Sequence, residues 1–123
     1  MLDRVSVYLI TRDGAVKIGI SADPQRRARA LTLASGLEAR VHTTLGPMQR
    51  WVGRVVERWL HEKHADARLF GEWFHPRIME AVRADLDWVA EDEGNFDEVV
   101  GRAAQARDLF RWARSDFDPR TEG

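Results

Sequence analysis

The sequence predicts an α+β fold in which a small three-stranded antiparallel sheet is flanked by helices and followed by a C-terminal helical extension. Three observations carry this prediction. Two β-rich runs within residues 5–20 flank a turn signal, a third run at 37–45 alternates apolar and polar residues, and most other long segments repeat apolar residues at helical spacing. The predicted order is therefore β-β-α-β-α, with further helices after it.

The first two strands form a predicted β-hairpin whose register follows from its turn. Asp13-Gly14 is a favourable pair for a two-residue hairpin loop. Counting outward from this turn places Tyr8 opposite Gly19, and because side chains alternate along a strand, Tyr8, Lys17 and Gly19 share one face. The apolar face consists of Val7, Leu9, Val16, Ile18 and Ile20. Tyr8 and Lys17 are then diagonal neighbours, roughly 7 to 8 Å apart at the backbone.

A short helix is predicted next, at about 24–34. Ser21 or Asp23 is the expected N-cap, and Pro24 suits the first helical position. Gly36 is expected to end this helix.

The third strand, at 37–45, is expected to end at Gly46-Pro47, where a long helix over about 48–64 begins. One side of that helix is an apolar stripe that includes Trp51, Val55 and Trp59. The opposite side carries a second stripe, which consists of Gly53, Glu57, Leu60, His61 and His64. If the second stripe faces the sheet, the C-terminal helices must cover the apolar stripe, so we expect the helix to be sandwiched between the sheet and the tail.

Two more helices are predicted in the C-terminal part. Pro76 can open the first of them, and Gly94 is expected to end it. Asn95 and Glu98 resemble a capping box at the start of the second. The predicted buried stripe of that last helix consists of Phe96, Val99, Val100, Ala103, Phe110 and Ala113.

Composition narrows the class of protein. A chain of 123 residues with 44% hydrophobic and 32% charged residues is expected to form one globular domain rather than a multidomain enzyme. The absence of cysteine excludes disulfides, thiolate nucleophiles and cysteine zinc sites. No apolar run approaches the roughly 20 residues needed to cross a bilayer, and no signal peptide is recognisable, so we expect a cytoplasmic protein without a membrane partner.

The net charge of −1 conceals two oppositely charged segments. Residues 1–77 hold 13 Lys and Arg against 8 Asp and Glu, a net +5, whereas residues 78–123 hold 6 against 12, a net −6. We therefore divide the chain into a basic core at 1–77 and acidic C-terminal helices at 78–123, which are expected to pack on the core within a single domain.

Short motifs follow one another in a recognisable order along residues 5–75. They are Ser6-Val7-Tyr8, Lys17-Ile18-Gly19, Asp23-Pro24-Gln25-Arg26-Arg27, Glu57-Arg58-Trp59-Leu60-His61, Arg68 and Gly71-Glu72-Trp73-Phe74. This set resembles the GIY-YIG nuclease superfamily, and especially its small phage- and bacteria-associated branch. The glycine of the first motif is missing, and a lysine stands where the second motif has tyrosine.

The resemblance implies metal-dependent hydrolysis of phosphodiester bonds in DNA. It assigns Tyr8 as general base or water orienter, Arg27 as the cation that stabilises phosphate charge, and Glu57 as ligand of Mg²⁺ or Mn²⁺. Because a tyrosine with a pKa of about 10 is a poor base near neutrality, Lys17 is the candidate for the positive charge that would lower it. His61 is expected to support Glu57 or to contact phosphate.

Further residues are assigned to DNA binding and to structure. The candidate DNA-contacting residues are Arg26, Arg29, Arg54 and Arg58, and the candidate structural residues are Gly19, Gly71, Trp73 and Phe74. Gly19 is expected to leave room opposite Tyr8 for a phosphate or a metal-bound water. Glu72 is expected to pair with a neighbouring arginine.

Two other functions fit the same sequence. The chain could be a nucleic-acid-binding module of the nuclease fold with weak or no catalysis, or an interaction protein that works through its acidic helical tail. A histidine zinc site is disfavoured, because the spacing in His61-Glu62-Lys63-His64 matches no common zinc motif.

Overall fold

The computed structural model describes the backbone of residues 3–110 and the side chains of residues 3–102. Its strands are β1 (Arg4–Arg12), β2 (Ala15–Ser21), β3 (Ala39–Gln49), β4 (Arg68–Phe70) and β5 (Trp73–Phe74). Its α-helices are α1 (Pro24–Ser35), α2 (Arg50–Lys63), α3 (Met79–Glu91) and α4 (Glu93–Phe110). The side chains of Ala103 and Phe110 and the whole of Ala113, which the sequence placed in a buried stripe, lie outside the described residues.

The predicted α+β class is confirmed, but the sheet has five strands rather than three. Its order is β3-β1-β2-β5-β4, and the paired strands are antiparallel. The two additional strands contain three and two residues. Strands this short carry no alternation that sequence inspection can detect, which is why residues 68–74 were not predicted to join the sheet.

The register predicted for the β1–β2 hairpin is confirmed. Tyr8 lies opposite Gly19, and Ile10 lies opposite Lys17. Asp13 and Gly14 have positive φ angles of 49° and 78°, as a tight hairpin turn requires.

The third strand is longer than predicted, because Gly46-Pro47 does not end it. β3 continues to Gln49 and pairs again with the start of β1 beyond a register shift. Gly46 has a φ of 137°, a backbone conformation that glycine tolerates and that accommodates this irregularity. Helix α2 therefore begins at Arg50 rather than near 48.

The caps predicted for α1 are confirmed. Asp23 Oδ1 accepts a hydrogen bond of 3.1 Å from the Arg26 amide, and Pro24 occupies the first turn. Gly36 closes the helix in the left-handed conformation and donates its amide hydrogen to the Thr32 carbonyl.

The start of α4 differs from the prediction. Asp92, not Asn95, caps it: Asp92 Oδ1 accepts a hydrogen bond of 2.7 Å from the Gly94 amide. Asn95 instead donates its side-chain amide to the Trp88 carbonyl and so ties α4 to α3. Gly94 consequently lies within α4 and does not end the preceding helix.

The two faces of the sheet are covered by different helices. Apolar side chains of β1 and β2 pack with α2, and the same buried cluster extends to Val82, Leu86 and Val89 of α3 and to Val99 of α4. On the opposite face, α1 covers a smaller cluster that consists of Tyr8, Ile10, Ala28 and Ala39. Helix α2 thus contacts the sheet on one side and α4 on the other.

A buried polar cluster joins α2 to α3. Asp85 accepts a hydrogen bond of 2.8 Å from His64 Nε2 and another of 2.6 Å from Lys63 Nζ. His64 and Asp85 are both buried, so these hydrogen bonds fix the end of α2 on α3. Within the described part of the chain, no helix has the length and apolar character needed to cross a bilayer.

Gly53 of α2 packs closely on side chains of β1 and β2, and its replacement by alanine tests this packing. A Cβ at Gly53 would lie 2.7 Å from Val5 Cγ2 and 3.4 Å from Ile20 Cγ2. We expect Gly53→Ala to lower the free energy of unfolding by about 1–3 kcal/mol, because both neighbours are packed in the core.

Urea denaturation of Gly53→Ala beside Gly101→Ala is the matched measurement. A Cβ at Gly101 in α4 would meet nothing within 4 Å, so alanine there should be neutral or stabilising. Equal stability of the two variants would contradict the close packing of α2 on the sheet.

Candidate active site

The candidate site lies where the pairing of β5 with β2 ends. β5 pairs with β2 at Val16 and Lys17. At the next residue, Ile18, the amide donates to the Glu72 carbonyl at 3.2 Å and the carbonyl accepts from His61 Nε2 at 2.9 Å. A side chain of α2 therefore takes over from β5 as the hydrogen-bonding partner of β2. This change of partner brings together groups from both faces of the sheet.

Lys17 is held at this point by Glu72. Its Nζ lies 2.7 Å from Glu72 Oε1, and the Lys17 side chain is 9% exposed against 43% for Glu72. The Trp73 ring lies next to two cations: its centroid is 5.6 Å from Lys17 Nζ and 4.2 Å from Arg12 Cζ. The buried ammonium is thus compensated by a carboxylate and by an aromatic face.

A hydrogen bond joins the carboxyl groups of Glu57 and Glu72 across the site. Burial, followed by the charge of Glu72 and a hydrogen bond to it, raises the pKa of Glu57 to about 8. Burial also acts to raise the pKa of Glu72, but the hydrogen bond and charge of Lys17 outweigh it, so that this pKa is lowered. Near neutral pH, Glu57 therefore holds the proton and Glu72 is the carboxylate that accepts from both Glu57 and Lys17.

Tyr8 lies beside these carboxyl groups, and its phenol keeps its proton at neutral pH. Burial raises its pKa to about 12, against the opposing effect of a hydrogen bond from Arg27. Glu72 and Glu57 raise this pKa further. The pKa of Tyr8 is therefore raised, not lowered as expected, and the groups that act on it besides burial are Arg27, Glu72 and Glu57 rather than Lys17.

The space next to the Gly19 backbone is filled by the Tyr8 side chain. A Cβ at Gly19 would lie 2.5 Å from the phenolic oxygen of Tyr8, so glycine is required for the ring to cross β2. The prediction that Gly19 leaves room for a phosphate or water is therefore wrong: the space holds the tyrosine.

His61 is fixed by its surroundings rather than pointed at solvent. Its Nε2 must carry the hydrogen, because the Ile18 carbonyl can only accept, and the same nitrogen lies 3.9 Å from Glu57 Oε2. Its ring lies 5.1 Å from the ring of Phe74, centroid to centroid. Burial lowers the pKa of His61, so the imidazole is neutral at neutral pH.

The remaining predicted residues lie around this centre. Arg26 and Arg29 are exposed on α1, and Arg54 and Arg58 are exposed on α2. The charge of Arg54 acts on Glu57 and lowers its pKa, although not enough to offset burial.

The predicted structural residues Gly71, Trp73 and Phe74 lie in or next to β5, beside the site. Trp73 and Phe74 are buried on opposite faces of β5, the first beside Lys17 and the second beside His61. Gly71 occupies the β4–β5 turn with a φ of 53°.

Glu72 is the residue that sequence reasoning did not place in the site. It was expected to pair with an arginine, but its partners are Lys17 and Glu57. The available signal was its position in Gly71-Glu72-Trp73-Phe74, where a carboxylate follows a turn glycine and precedes two aromatics. Without β5, nothing in the sequence indicated that this carboxylate reaches β2.

The carboxyl pair fits a hard divalent cation. Among the residues that the structure describes, no group of three or more His, Asp or Glu side chains is placed so that it could hold a metal ion, so the candidate ligands here are a pair. Mg²⁺ is commonly held by one or two carboxylates and keeps several of its waters. Glu57 and Glu72, which are hydrogen-bonded to each other, are two carboxyl groups of the kind that such a site uses.

Comparison with known proteins adds a family. The model of the T5orf172 domain matches residues 6–93, from β1 through the end of α3. The Integrator complex assembly factor BRAT1 of Mus musculus is 41% identical over 46 residues, which make up 37% of this chain and 6% of that protein. The chain thus spans only a small part of the length of this relative. No solved structure matches the chain.

The raised pKa of Tyr8 can be tested directly, because the chain contains one tyrosine. At pH 10 an ordinary tyrosine is about half ionised. We expect almost no tyrosinate absorbance from the folded protein at this pH, because its Tyr8 has a pKa of about 12. The urea-unfolded chain, measured at the same pH, should show about half of its tyrosine ionised. Equal ionisation of the folded and unfolded chains would contradict the burial of this phenol.

Proposed function

Because the chain belongs to the T5orf172 domain family, which is associated with homing endonucleases and GIY-YIG-like nucleases, we propose that it is a metal-dependent DNA endonuclease with a GIY-YIG-type mechanism. The observation that carries the proposal is that Tyr8, Lys17, Glu57 and Glu72 interact with one another around Ile18 and Gly19 of β2. Hydrolysis of a phosphodiester requires groups of these types, since negative charge grows on the phosphate in the transition state.

Glu57 and Glu72 are the proposed ligands of Mg²⁺ or Mn²⁺. The bound ion would supply Lewis-acid stabilisation of the phosphate and a more acidic water. The proton on Glu57 must leave before both carboxylates can act as ligands, so binding is expected to strengthen as the pH rises toward 8.

Tyr8 is proposed to orient a water or a phosphate oxygen rather than to act as a base that removes a proton. With a pKa of about 12 it keeps its proton at neutral pH, so its phenol donates a hydrogen bond to a water or to a phosphate oxygen. Arg27, which hydrogen-bonds to Tyr8, is exposed on α1 and supplies positive charge next to the same position.

His61 is proposed as a positioning residue. Its bond to the Ile18 carbonyl fixes α2 against β2, and with it the position of Glu57 one helical turn earlier. Lys17 contributes its charge beside the carboxyl pair and holds Glu72.

The DNA backbone is proposed to contact exposed arginines on two helices. Arg26 and Arg29 lie on α1, and Arg54 and Arg58 lie on α2. Contacts of this kind supply affinity that does not depend on sequence and that weakens as salt increases.

Nicking of supercoiled plasmid in the presence of Mg²⁺ or Mn²⁺ tests the proposal. We expect the wild-type protein to nick DNA and to lose this activity when the metal is chelated. Tyr8→Phe should reduce the rate by roughly 100-fold or more, because the orienting hydroxyl is lost. Glu57→Gln should reduce it at least as strongly.

Glu62→Gln is the matched control, because Glu62 is an exposed carboxylate on the same helix. It should nick at the wild-type rate. Nicking by the wild-type protein that does not exceed that of a Tyr8→Phe/Glu57→Ala double variant would contradict the enzymatic proposal. Salt-sensitive DNA binding without turnover would then favour a binding module.

A further inference from the structure

An exposed aromatic side chain stands next to the candidate site and has no role in it so far. Phe70 is 61% exposed at the end of β4, and the preceding Leu69 is 52% exposed. The other large apolar side chains that are exposed among the described residues are Leu33, on α1, and Leu37, in the loop after it. Burial of a phenyl ring is favourable, so an exposed ring beside a site is a candidate contact surface.

Strand pairing places Phe70 in line with the site. Phe70 lies opposite Trp73, and Trp73 lies opposite Lys17. Cross-strand partners project from the same face of a sheet, so the three side chains form a row that leads outward from the carboxyl pair. Because neighbouring strands are about 4.8 Å apart, the backbone of Phe70 is roughly 10 Å from that of Lys17.

This row is held rigidly. The β4–β5 turn consists of Gly71 and Glu72, and Arg68 Nε donates to the Gly71 carbonyl at 2.7 Å. Glu72 is anchored twice on β2, by its side chain to Lys17 and by its carbonyl to the Ile18 amide. Phe70 therefore has a fixed position relative to the site.

The surroundings of Phe70 match one kind of ligand. Arg12 and Lys17 both lie near the ring of Trp73, the cross-strand partner of Phe70, and Arg68 is on the same strand as Phe70. An aromatic face among cations suits a base attached to an anionic backbone, because bases stack on aromatic rings while the phosphates meet the cations. In an intact duplex the faces of each base are covered by its neighbours, so a base that stacks on a side chain must be unstacked.

We propose that Phe70 is a stacking platform for an unpaired nucleobase close to the scissile phosphate, so that the substrate is single-stranded or locally unpaired DNA. The proposal rests on the proposed function, since it names the substrate class of the same site.

DNA binding in EDTA tests the platform without requiring catalysis. The probe is a fluorescein-labelled oligothymidine of about 12 nucleotides, compared with a duplex of the same length by fluorescence anisotropy. Phe70→Ala should weaken binding of the single strand about tenfold or more and that of the duplex less than twofold. Phe70→Trp should restore it, and Leu33→Ala, which removes another exposed apolar side chain, should have no effect.

A second arm uses oligothymidine in which successive bases are replaced by abasic sites. The tenfold effect of Phe70→Ala should disappear when the stacked base is missing, which a general loss of folding would not produce. Equal affinity of wild type and Phe70→Ala for the single strand, or equal weakening on single strand and duplex, would overturn the proposal. So would sedimentation that shows a dimer which Phe70→Ala dissociates, because Phe70 would then bind a second copy of the chain.

The two proposals fail separately in these experiments. Loss of the stacking effect with intact plasmid nicking would overturn the role of Phe70 alone. Stacking without any nicking would overturn the enzymatic proposal and leave a single-strand-binding module.

Discussion

The Ile18 backbone is the point on which the arrangement of the site depends. A strand edge must satisfy its amide and carbonyl groups, and at Ile18 they bond to the Glu72 carbonyl and to His61 of α2. This hydrogen bonding forces the β4–β5 hairpin and α2 to meet at one residue of β2. The carboxyl groups of Glu57 and Glu72 are close enough to form a hydrogen bond for this reason.

The charges that gather there set the protonation of the whole site. Lys17 stabilises Glu72 as a carboxylate, and Glu72 together with burial keeps the proton on Glu57. The same two glutamates and burial keep Tyr8 a phenol. At neutral pH Glu72 is therefore a carboxylate and Lys17 an ammonium, whereas Glu57 and Tyr8 keep their protons. Binding of a divalent cation would displace the proton of Glu57, so Glu57 is the group whose charge would change most.

Sequence reasoning was accurate where the physical signal is local. The Asp13-Gly14 turn determined the hairpin register and hence the shared face of Tyr8 and Lys17. Sequence reasoning failed where the decisive contact is long-range. Glu72 is 55 residues from Lys17 in sequence, and the two are brought together because the two-residue strand after Glu72 pairs with β2. The continuation of β3 through Gly46-Pro47 likewise depends on pairing with β1, which overrides the local preference of glycine and proline to end a strand.

The most direct test of the account is to locate a divalent cation on the protein. Amide resonances should broaden around Ile18, Glu57 and Glu72 when Mn²⁺ is titrated at pH 8, because a paramagnetic ion broadens the signals nearest to it. Glu57→Gln and Glu72→Gln should each abolish this pattern, and Glu62→Gln should leave it unchanged. Broadening centred instead on the His64–Asp85 cluster, or an identical pattern in all variants, would contradict the assignment of the carboxyl pair as the metal site.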